Sequence, residues 1–234
     1  MKLVVQIPAF NEEDCILRAI EDVRKHSLND LFDQIEIIVI DDGSTDNTVA
    51  RARQAGIEHI VKLKEHQGLG EAFKQGLVYG LSIGADVIVN FDADMQYRAQ
   101  DMISLIKPLL DDQVDIVIGD RQLSQIKKYP RIKLISQHLG NQFIGAVYHA
   151  KVNDSTSGFR ALSRSCAQWL ASRTLNNYTY TVESLCLLLK GRRQMRFVPV
   201  VIRETVRESR LIRNKLKYIY NYIAMVLSCL SREA

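Results

Sequence analysis

Two acidic residues stand at a spacing that is typical of a divalent metal site. Asp92 and Asp94 follow the apolar run 87–91 directly, and Gln96 comes two residues later. Carboxylates this close together can turn toward one cation, and an amide oxygen can add a ligand or hold a bound water. Oxygen ligands of this kind suit Mg²⁺ or Mn²⁺. The alternative is that both carboxylates are solvated and cap the helix that follows.

A second acidic segment, Asp41-Asp42-Gly43-Ser44, follows another apolar run. A carboxylate at the end of a strand can accept a hydrogen bond from a nucleobase N–H or from ribose hydroxyls. The alternative is a helix cap in which Gly43 makes the turn.

The segment 8–13 has a similar position after the first apolar run. Phe10 could pack on a base or a ribose, and Glu12 could accept a hydrogen bond from either. The alternative is a plain strand-to-helix turn, with the glutamates favoured by the helix dipole.

Several other kinds of site are excluded by spacing. The pair Gly68 and Gly70 lacks the third glycine of a dinucleotide-binding loop, because Phe73 stands there, and no Gly-Lys-Ser/Thr sequence makes a P-loop. The five histidines fit no metal-binding pattern and are expected on the surface or in the core. The four cysteines are far apart, which favours reduced thiols over a zinc site or a disulfide framework.

The elements that must position these residues alternate between strand and helix. Apolar runs predict strands over 2–7, 35–40, 59–63, 86–91, 115–119 and 195–202. Helical spacing predicts helices over 12–26, from about 46, and over 69–83, 101–110, 132–148, 181–189 and 209–230. The fold class is therefore α/β, with a mostly parallel sheet covered by helices on both faces. Ligands bind at the carboxyl ends of the strands in such folds, where the acidic segments lie.

Length and composition favour one globular domain with an appendage. The chain has 234 residues, of which 47% are hydrophobic and 25% charged, and a net charge of +4. This mild charge excess does not predict a nucleic-acid partner. The absence of a linker predicts a domain over 1–208 and a C-terminal basic and apolar helix over 209–234.

Six segments, taken in order, resemble the family 2 glycosyltransferases. The resemblance is strongest to the branch that includes dolichol-phosphate mannose synthase and other polyprenyl-phosphate glycosyltransferases, and it covers about nine-tenths of the chain. The matching segments lie at 7–12, 39–46, 68–72, 92–96, 118–121 and 154–160.

The resemblance implies a GT-A fold and a metal-dependent hexosyltransferase that uses a GDP- or UDP-linked sugar. It assigns the nucleotide to Pro8, Phe10, Glu12, Ile40, Asp42, Asp92 and Ala93. It assigns Mg²⁺ or Mn²⁺ to Asp92, Asp94 and Gln96, and catalysis to Asp94 and Arg121. It assigns the acceptor or its phosphate to Arg131, Ser136, Arg203 and Arg207.

The chain departs from the family pattern at three places. Tyr97-Arg98 replaces His-Pro or Arg-Pro after the metal glutamine, and the arginine expected before 133–136 is displaced to Arg131. A late glycine is missing, which leaves open whether Arg203 or Arg207 contacts phosphate.

The acceptor is expected to be a polyprenyl phosphate, such as a dolichyl or undecaprenyl phosphate. A saccharide hydroxyl needs a general base, whereas a lipid phosphate is already anionic. The Glu-Asp pair of hydroxyl-acceptor relatives is absent after residue 154, where the isolated Glu183 is a candidate base or a partner of Arg160. The alternatives are a transferase acting on a saccharide hydroxyl in cell-surface polysaccharide synthesis and a non-catalytic nucleotide-binding module. A nucleotidyltransferase is disfavoured, since its glycine-rich basic loop is lacking.

The C-terminal region predicts a contact with a membrane surface or with a second copy of the chain. Residues 190–217 contain ten Lys or Arg and two Glu, and apolar side chains recur at helical spacing from 212 to 230. A basic amphipathic helix of this kind can lie in a bilayer surface. No apolar run approaches the length of a membrane span, and no signal sequence is recognised, so we expect a cytoplasmic protein that is peripheral on the membrane.

Overall fold

A computed structural model describes residues 1–26, 28–112, 114–126, 130–173, 175, 179–203 and 215–231, with side chains in the last range from 222 onward. The elements named below lie within these residues.

One mixed sheet forms the centre of the fold. Its strands are β1 (Lys2–Ala9), β2 (Gln34–Asp41), β3 (His59–Lys62), β4 (Val87–Asn90), β5 (Ile116–Asp120), β6 (Arg160–Ser163) and β7 (Met195–Pro199). They are ordered β3-β2-β1-β4-β6-β5-β7. The neighbours among β1 to β4 are parallel, β6 runs antiparallel between β4 and β5, and β7 returns parallel to β5.

Helices cover both faces of this sheet. They are α1 (Ile16–Lys25), α2 (Thr48–Gln54), α3 (Leu69–Ser82), α4 (Met102–Asp111), α5 (Arg131–Tyr148), α6 (Arg164–Ala171), α7 (Tyr180–Lys190) and α8 (Lys215–Ser231), with short 3₁₀ turns at Ala99–Asp101 and Leu123–Gln125.

Strand β1 shows why the sheet needs cover on both sides. Leu3, Val5 and Ile7 belong to a core cluster shared with α1 and α4, while Val4 belongs to a second cluster shared with α3, α6 and α7. Successive side chains of a strand point to opposite faces, so an unbroken apolar run is buried on both. This confirms the predicted α/β class with a mostly parallel sheet.

The prediction missed one strand and one helix. The antiparallel β6 and the following α6 lie in a stretch for which no regular element was expected. The predicted domain boundary at 208 falls outside the described residues, as does the beginning of the predicted C-terminal helix. Among the helices that are described, none has the length and apolarity to cross a membrane.

Candidate active site

Three predicted loops meet at one edge of the sheet. Because β1 is a parallel neighbour of both β2 and β4, the carboxyl ends of these strands lie side by side. The loops at 8–13, 41–46 and 92–97 leave from those ends. The segment 118–121, at the end of β5, also matches the family pattern, and β5 is separated from β4 by the single strand β6.

Hydrogen bonds join the loop after β1 to the loop after β2. The Asn11 N–H donates to Ser44 Oγ at 2.9 Å, and the Thr45 N–H donates back to Asn11 Oδ1 at 2.8 Å. The Glu12 N–H donates to Thr48 Oγ1 at 2.8 Å. Asn11 has a left-handed φ of 53°, which a non-glycine residue keeps only where its surroundings hold it. The two loops therefore form one fixed wall.

Asp42 is the buried acceptor in this wall. Its carboxylate accepts the backbone N–H groups of Gln67 at 2.7 Å and Gly68 at 2.8 Å. The Nδ1 atom of His66 lies 2.8 Å from Asp42 Oδ2. The imidazole ring also stacks on Phe10, with ring centroids 3.8 Å apart. Phe10 and Asp42, both predicted to hold the nucleoside, are thus bridged by one side chain.

His66 is 54% exposed, in agreement with the expectation for the histidines, but no sequence pattern predicted its contacts with Asp42 and Phe10. It is 24 residues from Asp42 along the chain, and no local pattern links the two. The adjacent Gly68-Leu69-Gly70 segment is the one sequence signal that lies near it. Gly68 has a φ of 95°, and its N–H is one of the groups that bind Asp42.

Pro8 and Ile40 are directly paired residues of β1 and β2, and both are buried. Ala93 is buried as well, with 3% of its surface exposed. These residues shape the wall from inside the protein, and their contact with a nucleoside stays a prediction.

The predicted metal carboxylates lie where β4 meets the 153–158 loop. Asn90 donates through Nδ2 to the Gly158 carbonyl at 2.9 Å and to Asp92 Oδ1 at 3.3 Å. A Cβ on Gly158 would stand 2.8 Å from Asp92 Oδ2, so only glycine allows this approach. Asp94 Oδ1 accepts the Gln96 N–H at 2.9 Å, which curls the loop around Met95.

The chemistry of these side chains fits a hard divalent cation. Burial raises the pKa of Asp92 to about 7, the charge of Asp94 adds to the rise, and Arg121 opposes it. A cation between the two carboxylates would remove this repulsion. The described residues contain no group of three or more His, Cys, Asp or Glu side chains that could hold a metal, at this loop or elsewhere. Asp92 and Asp94, with Gln96, would need water or phosphate oxygens to complete a coordination shell.

Tyr97, the first residue that departs from the family pattern, supports this loop from inside the protein. Its ring packs against Phe159 with centroids 4.9 Å apart, and its hydroxyl accepts the Gly158 N–H at 3.3 Å. Burial raises the pKa of Tyr97 to about 12, so the hydroxyl stays protonated at neutral pH. An aromatic side chain therefore supports the loop where relatives have His-Pro or Arg-Pro.

Arg121 is oriented by a buried carboxylate. Its Nε and Nη2 atoms donate to the two oxygens of Asp154 at 2.7 and 2.8 Å, and Nη2 also donates to Thr156 Oγ1 at 2.6 Å. Burial raises the pKa of Asp154, but the charge and hydrogen bonds of Arg121 more than offset this, and the pKa lies below its usual value. Such a two-point contact fixes the plane of the guanidinium.

Helix α5 contacts the same carboxylate. Gln137 donates through Nε2 to Asp154 Oδ1 at 2.8 Å. Ser136, the neighbouring residue and a predicted acceptor contact, is exposed, and its hydroxyl donates to the Ile132 carbonyl at 2.8 Å. Arg131 is exposed at the start of the helix. The acceptor roles of Arg131 and Ser136 stay predictions.

Arg203 lies beneath the predicted metal loop. Its guanidinium donates to the Tyr97 carbonyl at 2.7 Å and to Asp22 Oδ2 on α1 at 2.9 Å. Arg207, the other arginine for which a phosphate contact was predicted, lies outside the described residues.

Glu183, the candidate base, is fully buried in the first turn of α7. Arg160 is equally buried and donates to the carbonyls of Ser157 and Thr181 and to Ser184 Oγ, each within 2.8 Å.

Comparisons with known proteins find similar sequences over most of the chain. The model of the family described as glycosyl transferase family 2 matches residues 4–169. The UDP-N-acetylglucosamine--dolichyl-phosphate N-acetylglucosaminyltransferase of Methanococcus voltae is 30% identical over 217 residues, which cover 83% of this chain and 82% of that protein. The polyprenol monophosphomannose synthase of Mycolicibacterium smegmatis is 28% identical, over 70% of this chain and 62% of that protein.

A solved structure shares the fold over the whole chain. It is glucosyl-3-phosphoglycerate synthase from Mycobacterium tuberculosis in complex with Mn²⁺, UDP-glucose and phosphoglyceric acid. The TM-score is 0.74 with 23% sequence identity, and the match covers 100% of this chain and 81% of that one.

Proposed function

This chain belongs to glycosyl transferase family 2, and on that premise we propose that it transfers a sugar from a nucleoside diphosphate sugar to a polyprenyl phosphate. One observation carries the proposal. The Asp92 carboxylate, Gly158 and the loop that orients Arg121 meet at the edge of the sheet where the nucleoside wall also ends. Carboxylates for a cation and an arginine for phosphate oxygens are what a diphosphate leaving group requires.

The donor would bind across this edge. Phe10 and Asp42 offer a flat apolar surface and a buried acceptor, which suit a base with an N–H at its edge, such as uracil or guanine. The diphosphate would extend toward Arg121, whose guanidinium Asp154 holds in one plane. Mg²⁺ or Mn²⁺, held by Asp92, Asp94 and Gln96, would neutralise the charge that develops on the leaving diphosphate.

The acceptor class is supported by the relatives. The proteins of M. voltae and M. smegmatis carry names that specify dolichyl phosphate and polyprenol monophosphate chemistry. The burial of Glu183 agrees with this class, because a side chain with no exposed surface is badly placed to deprotonate a sugar hydroxyl.

The reaction exchanges one bond to the anomeric carbon for another. An anionic phosphate oxygen of the acceptor attacks that carbon, and the bond to the nucleoside diphosphate breaks with its electron pair on the diphosphate. No proton has to be removed from the acceptor. Direct attack inverts the anomeric centre. Arg121 stabilises the charge that accumulates on the departing oxygens.

A lipid acceptor requires contact with a membrane, and two neighbouring helices have surfaces that suit it. Ile132, Ile135 and Leu139 are between 56% and 64% exposed on α5. On α8, Ile223, Leu227 and Leu230 are between 41% and 47% exposed. The two helices touch, since the Tyr148 hydroxyl donates to the Val226 carbonyl at 3.0 Å.

Both exposed apolar stripes have helical spacing. Arg131 and Lys133 lie beside the stripe on α5, as expected of a surface that lies on anionic lipids. We therefore propose peripheral attachment, with a second copy of the chain as the competing occupant.

The decisive experiment is transfer of radiolabelled sugar from UDP-N-acetylglucosamine, UDP-glucose and GDP-mannose, each with Mn²⁺ and either undecaprenyl or dolichyl phosphate in detergent. Label that partitions into organic solvent and is released by mild acid supports the proposal. Asp94→Asn protein, prepared in parallel, identifies background.

Other outcomes separate the competing functions. Label that appears only in a water-soluble saccharide would favour a hydroxyl acceptor. Nucleotide binding in a thermal-shift assay without turnover on any acceptor would favour a binding module.

A further inference from the structure

The chain that follows β7 runs beside the predicted metal loop. Tyr97 and Ile202 form an isolated antiparallel bridge. The Arg203 N–H donates to the Gln96 carbonyl at 2.8 Å. Arg203 is thus attached by its backbone to the loop that carries Asp94 and Gln96.

The Arg203 side chain extends this attachment to helix α1. One guanidinium nitrogen, Nη1, donates to the Tyr97 carbonyl at 2.7 Å and reaches the Met95 carbonyl at 3.4 Å. The other, Nη2, donates to Asp22 Oδ2 at 2.9 Å. A planar fork of this kind can hold two partners at a fixed separation, which the single ammonium of lysine cannot.

Asp22 holds the far end of the same loop. Its Oδ2 atom also accepts the Ala99 N–H at 3.0 Å, at the start of the short 3₁₀ turn that follows the loop. The carboxylate is 12% exposed and lies on α1, whose apolar face is part of the core. Asp22 therefore ties the loop to a rigid element through two contacts.

The loop needs such support because of its backbone. Met95 has a left-handed φ of 64°, an uncommon conformation for a residue with a side chain. It stands between Asp94 and Gln96, so its backbone angles decide whether those two side chains point to one place.

We infer that Arg203 and Asp22 form a clamp that positions the metal loop. This inference rests on the proposed function, since it presupposes that Asp92, Asp94 and Gln96 bind a cation with the donor. Arg203 is then a positioning residue, and the phosphate contact predicted for Arg203 or Arg207 is left to Arg207.

The test is the affinity for Mn²⁺ in the presence of saturating UDP, measured by titration calorimetry on the full chain. Arg203→Gln and Asp22→Asn are each expected to weaken Mn²⁺ binding about tenfold, with UDP binding in the absence of metal unchanged. The double variant is expected to be no weaker than either single variant, because each change breaks the same clamp. Arg203→Lys should resemble Arg203→Gln.

Charge alone predicts a different pattern. Loss of the Arg203 cation would strengthen the binding of a nearby cation, whereas loss of the Asp22 anion would weaken it. A fall in both variants therefore requires positioning. The matched control is Arg196→Gln. Arg196 lies on β7 and forms an exposed ion pair with Asp112, and its loss should leave Mn²⁺ binding as in the wild type.

Each outcome decides a different claim. Wild-type affinity in Arg203→Gln, or stronger binding there, would overturn the clamp and leave the proposed function intact. Wild-type protein that binds no Mn²⁺ with UDP would overturn both. If Arg203→Gln does not fold, Arg203→Lys and Asp22→Asn give the same decision.

Discussion

The donor side of the site, at the ends of β1, β2 and β4, and the side formed by the segment between β5 and β6, which carries Arg121 and the predicted acceptor contacts, are built in different ways. On the donor side, backbone N–H groups donate most of the hydrogen bonds that join the loops. Two of them bind the Asp42 carboxylate, and those of Asn11 and Thr45 each donate to a side chain of the neighbouring loop. In the segment between β5 and β6, side chains hold each other, as Gln137 and Arg121 both donate to Asp154.

The two sides also differ in what they leave exposed. The donor wall ends in buried groups such as Asp42, whereas α5 presents Ile135 and Leu139 to solvent. Backbone bonds between loops make a preformed pocket, while exposed apolar side chains on a helix are completed by a partner. We therefore propose that a rigid shape selects the donor, whereas an exposed apolar surface selects the acceptor.

The sharpest test of the donor side is Asp94→Asn. The substitution keeps the shape of the loop and removes a charge from the predicted cation site, so we expect the transfer rate to fall about a thousandfold. The initial rate of labelled-sugar transfer measures this. Asp111→Asn, an exposed carboxylate on α4, should retain full activity. A loss of less than tenfold would show that the carboxylate pair does not hold the metal.

The corresponding test of the segment between β5 and β6 is Asp154→Asn. The amide can no longer orient Arg121 by a charged two-point contact, so we expect kcat to fall about a hundredfold. The affinity for uridine, which lacks the diphosphate, should stay close to the wild-type value, because the donor wall is unchanged. An unchanged kcat would mean that Arg121 is positioned without Asp154.

The same variant should lose stability in a pH-dependent manner. Breaking a buried ion pair costs about 3 kcal/mol in the free energy of unfolding. The pKa of Asp154 is lowered in the folded protein, so its contribution is complete above the ordinary aspartate value near 3.8 and disappears as the pH falls through the lowered value. Urea unfolding at pH 7, 5 and 3 should show a difference between wild type and variant that is constant from pH 7 to 5 and smaller at pH 3. A difference that grows toward low pH would contradict the sign.

A smaller effect is expected from the exposed stripe on α5. Leu139→Glu should weaken binding to phosphatidylglycerol vesicles about tenfold, since an apolar contact is lost and a like charge is added. Sedimentation of vesicles with bound protein measures this. Val78→Glu, an equally apolar exposed position on α3, is the control. If Leu139→Glu binds vesicles like the wild type but dissociates a dimer that the wild type forms, the stripe is covered by a second copy of the chain instead.

The smallest effect is expected from His66→Ala. A base that stacks on Phe10 and reaches Asp42 must displace the His66 ring from both. Because the alanine variant has no ring to displace, it should bind UDP about threefold more tightly. Fluorescence or calorimetric titration measures the affinity, with His59→Ala as the control. Weaker binding would mean that the base stacks on His66 itself.

The donor side was also the easier side to predict from the sequence. The strands β1, β2 and β4 are apolar runs, and the acidic segments at their ends follow the general rule for ligand sites in parallel sheets. The antiparallel β6 was missed because it has four residues and begins with Arg160, a charged residue that is fully buried.

What the sequence did not reveal are pairs of side chains that are distant along the chain. His66 meets Asp42 across 24 residues, and Arg203 meets Asp22 across 181. Such contacts leave no periodic or local pattern, because they depend on how the sheet brings loops together. The family resemblance supplied a role for Arg203 but not its partner.

The position of β6 separates the acceptor region from the rest of the chain. The polypeptide leaves the sheet after Asp120 and returns at Arg160, and these two points lie on adjacent strands, where Ile118 pairs with Arg160. Everything between them, α5 included, is one excursion whose two ends are neighbours. The exposed parts of this excursion can change in sequence at small cost to the strands that carry it, whereas Ile144 and Phe159 are buried in the core. Helix α5, at Arg131–Tyr148, carries the predicted acceptor contacts of this excursion, so exchanging that helix between relatives, with Arg121, Asp154 and Gly158 kept, would test whether it decides acceptor choice.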